Sequence, residues 1–358
     1  MHVPDWTQLP EELLEFISEK LDNCFDVIHA RSVCSLWRST MPFPCSLLSP
    51  RYSLISFASL PYKCSATLKK IPLFLFRVLT LSGSASEYFL GGIGRRDEPE
   101  DHIEHPPPLQ CSVKIPGSSD QTLVNMLDCQ IIPMGHQYRI FDSNPSYYKV
   151  VAFLPLGGRE FVVLLNYGGV LFVLTSVEMK WKLLEKPPRS TCSSLVTFRG
   201  RFYASFFNGT SVVIDPYSLD VTKLMHSPHQ DIYNHLVPSG NDELFLVEQN
   251  GSQLTLRVSR LDEEAGKWVV VTHVGDRVLF ISGGVFGNFC CSAKELPDGC
   301  GMSGNSMEFT DVVSGTYSYK YGVDTGRGED GRKGWRPSRE NRVKVLSTSP
   351  VVALRVEH

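Results

Sequence analysis

"GRFYASFFNGTSVVID" (200–215) is the stretch on which the fold turns. Two runs rich in aromatic and β-branched residues flank Asn208-Gly209. That reads as a β-hairpin, because a type I′ turn takes positive φ at both central positions. The unit recurs on either side, as "EFVVLLNYGGVLFVLTS" (160–176) and "ELFLVEQNGSQLTLRVS" (243–259). Gly168 to Gly209 is 41 residues, Asn208 to Asn250 is 42, and Phe161, Phe202 and Phe245 step by 41 and 43. Each unit closes on a polar turn and another strand: "SVEMKWKLLE" (176–185), "DPYSLDVTKL" (215–224) and "LDEEAGKWVVV" (261–271). Trp181 and Trp268 occupy similar places in the first and third. A repeat of about forty to forty-five residues with four strands is the pattern of a propeller blade. Strands are therefore predicted near 161–166, 170–175, 201–206, 211–215, 243–248 and 253–259, with another at "YSLISF" (52–57). The stretch 50–358 has room for at most about seven such blades.

Residues 5–41 follow a different period. Leu9, Leu13, Ile17 and Leu21 step by four in "DWTQLPEELLEFISEKL" (5–21), with Leu14 on a neighbouring line. This predicts an amphipathic helix whose early glutamates suit a positive N-terminal end. Shorter helices are expected over 26–33, with Asp26 as cap, and over 33–40, before "MPFPC" (41–45) ends helix formation. Pro10 reads as a first helical residue, where its missing N–H costs nothing. Leu9 then falls at the cap, with no side-chain acceptor to offer. Trp6, Leu9, Leu13, Leu14, Phe16, Ile17, Leu21, Phe25, Val27, Ile28, Val33, Leu36 and Trp37 are too many apolar side chains for one internal face. So small a unit buries little surface alone. Part of it is expected to meet a partner protein, with Leu9 and Pro10 as exposed anchors.

The chain thus divides into an all-α module of three helices (1–45) and an all-β domain (46–358). Two stretches interrupt the β pattern. "GGIGRRDEPEDHIEHPPPLQ" (91–110) reads as an inserted loop, and its glycines lack the strand, helix and spacing of a dinucleotide site. "TGRGEDGRKGWRPSRENRVK" (325–344) mixes seven Lys or Arg with three acids. It reads as a solvated flexible segment, and nucleic acid is not an expected partner.

The bulk numbers exclude some classes. Formal net charge is −3, with 42% hydrophobic and 20% charged residues, as in ordinary globular chains. No stretch reads as a signal peptide, and the greasiest run, "IPLFLFRVLTL" (71–81), is too short for a bilayer and carries Arg77. Ten scattered cysteines without a C-x-x-C pair read as reduced thiols. Nucleus or cytoplasm is the expected location. Catalytic motifs are missing: there is no G-x-S-x-G, H-E-x-x-H or H-x-E with C-x-x-C. Asp215, Asp220, Asp231 and Asp242 fall near predicted turns, where capping is the usual role. His226, His229 and His235 lie within "HSPHQDIYNH" and read as an exposed polar loop. No catalytic residue, cofactor or metal is expected.

Two stretches carry a resemblance. Leu9-Pro10-Glu11-Glu12-Leu13-Leu14, Ile17, Leu21 and Val33-Cys34-Ser35-Leu36-Trp37-Arg38 together resemble an F-box. The resemblance implies docking on Skp1, the adaptor of cullin–RING ubiquitin ligases, through Leu9, Pro10, Leu13, Leu14 and Ile17, with Val33 and Trp37 completing the helical packing. Gly275-Asp276-Arg277-Val278-Leu279-Phe280, Ser292-Ala293 with Glu295-Leu296, and Gly304-Asn305 through Phe309-Thr310-Asp311 resemble the plant F-box proteins with a kelch-like C-terminal domain. Met307 stands where that family has a β-branched residue, and the basic segment replaces its usual closing strand. The implied function is a non-catalytic, substrate-recruiting subunit of an SCF ubiquitin ligase, binding an unidentified protein through the β-domain. The alternative is a propeller scaffold or regulatory factor acting outside a ligase.

Overall fold

The computed structural model describes residues 5–21, 24–41, 67–78, 87–94, 110–114, 121–125, 130–141, 149–185, 188–225, 232–250, 255–282, 287–296, 302–311, 315–321, 335–338, 343–345 and 352–354. The strand expected over 52–57 lies outside them. The chain forms two compact units, one of residues 1–51, 70–136 and 346–358, the other of 52–69 and 137–345.

Among the described residues, the first unit contains three α-helices, α1 (Glu11–Ser18), α2 (Cys24–Ser32) and α3 (Ser35–Thr40). It also holds an antiparallel and parallel ladder. Val352–Leu354 lies between Glu87–Gly94, its parallel neighbour, and Gln110–Lys114, its antiparallel one. Both ends of the expected loop 91–110 are therefore strand, since Gly91-Gly92-Ile93-Gly94 and Gln110 belong to these ladders.

Among the described residues, the second unit is built from four successive β-sheets, its blades. Blade 1 comprises Lys149–Gly157, Glu160–Tyr167, Val170–Thr175 and Lys182–Leu183. Blade 2 comprises Cys192–Phe198, Arg201–Phe206, Ser211–Ile214 and Val221–Leu224. Blade 3 comprises Ile232–Ser239, Glu243–Asn250, Thr255–Asp262 and Lys267–Val270. These are the repeats read from the sequence. Trp181 and Trp268 are buried at their outer strands.

Blade 4 runs in the order Asn288–Ser292, Arg277–Ser282, Ser306–Asp311, Gly315–Tyr321, Trp335–Ser338. Its second and third strands are parallel, with Val278 opposite Ser306. The basic segment is not wholly a flexible insertion. Its residues Trp335–Ser338 pair with Gly315–Tyr321, Trp335 opposite Tyr321, and supply the outer strand.

The middle strands are buried on both faces, which explains their near-continuous apolar runs. In Arg201–Phe206, Phe202, Ala204 and Phe206 pack with Val162, Leu164 and Leu171 of blade 1. Tyr203 points the other way, to Leu236, Leu244 and Leu246 of blade 3. One blade on, Phe245 and Val247 turn toward Leu279, Ile281 and Met307 of blade 4. The period of two thus sends alternate residues into successive inter-blade cores. Met307 lies fully inside the last of them, where an unbranched, adaptable side chain fills the space well.

An inner strand has an unpaired edge, and here side chains cover it. The Leu236 amide donates to Ser194 Oγ at 3.1 Å, and Ser205 Oγ donates to the Asn234 carbonyl at 3.4 Å. Asn288 Nδ2 donates to the Leu236 carbonyl at 3.1 Å, Asn234 Nδ2 to the Phe206 carbonyl at 3.0 Å, and Asn166 Nδ2 to the Cys192 carbonyl at 2.9 Å. Buried backbone groups are thereby satisfied without a further strand. Buried Glu248 is matched in the same way, by a two-pronged contact from Arg257 directly across the ladder.

Candidate functional site

The helical module is built on a short entry turn. Asp5 Oδ1 accepts from the Thr7 amide at 3.1 Å and from its hydroxyl at 2.6 Å, starting a single turn over Trp6–Gln8. These bonds hold the Asp5 carboxyl below its ordinary pKa. Leu9 and Pro10 then run extended, and α1 begins at Glu11. Pro10 is therefore the cap rather than the first helical residue. Its carbonyl accepts from the Leu13 and Leu14 amides, both at 3.1 Å. A cap residue's carbonyl starts the helix whatever its side chain, and a proline has no amide to leave unpaired.

The module's core is small. Leu14, Trp37 and Met41 are buried, with Leu9, Ile17, Leu21, Ala30 and Cys34 packed around them. Trp37 Nε1 donates to the Trp6 carbonyl at 3.0 Å, tying the entry turn to α3. The Arg31 guanidinium donates to the Arg38 carbonyl at 2.8 Å and to the Met41 carbonyl, closing α2 on α3.

What this core leaves outside is large and apolar. Trp6 is 57% exposed, Phe16 57%, Leu13 50%, Val33 44% and Leu36 37%, and Pro10 is exposed beside them. Lys20 Nζ stands 5.0 Å from the centre of the Phe16 ring. Along α1 the residues sort into two lines, Leu14 and Ile17 inward, Leu13 and Phe16 outward, and Leu21 just past the helix also packs inward.

In blade 4 the residues singled out from sequence form a connected structural clasp. The Arg277 guanidinium donates to Ser239 Oγ at 3.0 Å and lies 2.5 Å from Glu243 Oε2, joining blade 4 to blade 3. Asn305, at φ 61°, accepts from the Val274 amide at 2.9 Å and donates its own amide to the Arg277 carbonyl at 3.0 Å. Ser292 and Glu295 form a reciprocal capping box over Ala293–Glu295. Ser292 Oγ also donates to Asp276 Oδ2 at 2.9 Å, and this bond holds the Asp276 carboxyl below its ordinary pKa.

Comparison with known proteins places both halves. Residues 6–42 match the F-box domain family, and residues 99–331 match the KIB1-4 beta-propeller family. F-box/kelch-repeat protein At1g64840 of Arabidopsis thaliana is 55% identical over 99% of this chain and 97% of its own length. The chain belongs to the plant F-box proteins with a kelch-like propeller. F-box/kelch-repeat protein At2g24250 is 56% identical over 99% of the chain and 96% of its own length. F-box protein SKIP23, also from Arabidopsis thaliana, is 26% identical over 98% and 93%.

Within the F-box, the seven residues expected at the Skp1 interface do not share one environment. Pro10, Leu13 and Val33 are exposed, Leu9 and Ile17 are half-buried, and Leu14 and Trp37 are core. Leu14 and Trp37 thus hold the helices in place rather than presenting themselves. Trp6, Phe16 and Leu36, part of the apolar surplus but not of those seven, are exposed as well. The three-residue step from Leu13 to Phe16 was the available signal.

The histidine cluster is not a single exposed loop. His226 and His229 lie outside the described residues, but His235 sits in the inner strand of blade 3 with its Nε2 buried. Its ring meets Phe309 edge-on at 5.6 Å, and burial pushes its pKa down to about 4. Asp215 does cap: its Oδ1 accepts from the Tyr217 and Ser218 amides, both at 2.9 Å.

Proposed function

We propose that this chain is the substrate-recruiting subunit of an SCF-type ubiquitin ligase, binding a Skp1-like adaptor and through it a cullin. The helical surface carries the reading. Among the described residues, five large apolar side chains stand out of a module in which four are buried, Leu14, Val27, Trp37 and Met41. That balance suits a fold completed by a partner. The propeller would hold a protein substrate, and the chain itself would do no chemistry. Its contribution is proximity, keeping the substrate near a ubiquitin-charged enzyme. Nucleus or cytoplasm is where that machinery works.

The test is calorimetric titration of the full chain with a purified Skp1-like adaptor. Truncating well-buried interface anchors often costs ~2 kcal/mol or more. At ~1.4 kcal/mol per tenfold, Leu9→Ala with Pro10→Ala should weaken binding at least tenfold to thirtyfold. Melting of the propeller should stay unchanged. A wild-type chain that fails to bind the adaptor would favour a scaffold role outside a ligase.

A further inference from the structure

The two rims of the propeller differ in chemistry. One carries the turns between inner and second strands of blades 1 to 3, at 158–159, 199–200 and 240–242, and the entry to the second strand of blade 4, at 275–276. Charges there are of both signs and engage one another: Arg199 with Glu263, Arg260 and Arg277 with Glu243, and Lys294 with Asp276. The other rim carries the starts of the inner strands. Its segments 167–170, 188–191, 207–210 and 232–233 contain one charged residue, Arg189, and Lys149 opens the inner strand of blade 1 opposite Tyr167.

These segments are joined to one another by hydrogen bonds and ring contact. The Cys192 amide donates to the Gly169 carbonyl at 3.1 Å, and the Phe207 amide to the Thr191 carbonyl at 3.0 Å. The Asn208 amide donates to Ser190 Oγ at 3.2 Å. Gly169 lies so close to Thr191 that an added Cβ would stand 2.3 Å from Thr191 Cγ2. Across the next blade boundary, the Phe207 and Tyr233 rings meet edge-on at 5.5 Å. Yet Phe207 is 38% exposed and Tyr233 55%. Arg189 is exposed and makes no ion pair among the described residues.

We infer that this rim holds a protein partner by an acidic, apolar segment. An aromatic or aliphatic side chain of the segment seats against the Phe207–Tyr233 pair, and a neighbouring Asp or Glu meets the Arg189 guanidinium. Aromatic residues and Arg are the groups that dominate binding energy at protein interfaces, above all on a pre-ordered surface. A free guanidinium selects carboxylates over other groups. The opposite rim has already matched its charges internally. The inference deepens the proposed function, because the segment would belong to the recruited substrate, but the binding chemistry stands without the ligase.

The test uses the full chain and two dye-labelled peptides, Glu-Asp-Phe-Leu-Asp-Glu and Lys-Arg-Phe-Leu-Arg-Lys, followed by fluorescence polarisation. The acidic peptide should bind about tenfold tighter than the basic one or better, and Arg189→Glu should reverse that order. Phe207→Ser with Tyr233→Ser should weaken the acidic peptide about tenfold or more. Glu263→Gln, on the opposite rim, should leave it unchanged. Equal binding of both peptides, or variants that bind like wild type, would overturn the inference. Binding of a Skp1-like adaptor, titrated on the same variants, separates this outcome from failure of the adaptor reading. A melting curve confirms that each variant folds.

Discussion

Arg199 of blade 2 meets Glu263 of blade 3, Nη1 to Oε2, at 2.5 Å, while its own backbone stands at φ 45°. The left-handed conformation comes from the two-residue turn that joins Phe198 to Arg201. The same guanidinium donates to the Asn241 carbonyl at 2.7 Å and the Asp242 carbonyl at 2.8 Å, so one side chain ties two turns together. Tyr203 completes the group by donating its hydroxyl to Glu263 Oε1 at 2.9 Å.

Arg199 therefore combines a backbone cost with a side-chain gain. An L-residue in this region costs ~1 kcal/mol relative to glycine. The half-exposed ion pair contributes ~1 kcal/mol or less. Arg199→Ala keeps the cost and loses the ties, whereas Arg199→Gly loses both. Urea unfolding should show Arg199→Ala less stable than Arg199→Gly by about 1 kcal/mol. Equal midpoints would mean that the turn carries no strain.

Leu13 and Leu14 are neighbours with opposite fates. Leu14 is fully buried and Leu13 half exposed. Leu14→Ala should cost about 2–4 kcal/mol of module stability, seen as lost helical circular dichroism. Leu13→Ala should keep the helices and lose affinity for a Skp1-like adaptor. If both variants lose helix equally, Leu13 is packing and not interface.

His235 should make the propeller sensitive to acid. Its folded pKa of about 4 lies below the ordinary 6.5. The unfolded chain therefore gains its proton as pH falls through about 6.5, and the folded chain only near 4. Stability is complete above that window and declines across it, by at most about 3 kcal/mol. His235→Leu should flatten the decline between pH 6.5 and 4 in thermal melts. An unchanged slope would place the titrating group elsewhere.

Gly304 is held by contact rather than by conformation. A Cβ there would stand 2.6 Å from the Asp276 Cα, a backbone atom that cannot step aside. Gly304→Ala should destabilise blade 4 by roughly 2 kcal/mol or more. Amide exchange should rise in Arg277–Ser282 and Ser306–Asp311, the strands that flank the contact. Exchange confined to loops would show that the clasp tolerates the methyl group.

Blades 1 to 3 were legible because each is a local meander, with a run, a turn and another run in order. Turn chemistry was less so. Asn208-Gly209 reads as type I′, but only Gly209 has positive φ, at 79°. Asn208 instead accepts the Thr210 amide at 3.1 Å in a longer loop. Both central residues are left-handed at Gly168-Gly169 and at Arg199-Gly200. No propensity points to the second of these, since Arg199 is held there by partners far along the chain. In blade 4 the parallel pairing of 277–282 with 306–311 crosses a connection that no period announces. The strand inside the basic segment was hidden by its charge, because an outer strand needs little apolar surface.

At the helices the sequence left the phase open. The four-residue stripe groups Leu13 with Leu9, Ile17 and Leu21, whereas in the structure Leu9, Leu14, Ile17 and Leu21 face inward and Leu13 faces outward. Four-residue steps drift around a helix of 3.6 residues per turn, and Leu13-Leu14 allowed either choice.

The inter-blade cores join blades that are consecutive in sequence, 1 with 2, 2 with 3 and 3 with 4. Birth on the ribosome then becomes a sequence of brief exposures. When blade 2 leaves the exit tunnel, Phe202 and Phe206 can dock on blade 1 at once, while Tyr203 must wait for Leu236, Leu244 and Leu246. At roughly 5–20 residues per second, another blade's worth of chain takes about two to eight seconds to appear. A holdase that shields one open face at a time would be enough to carry the nascent propeller through.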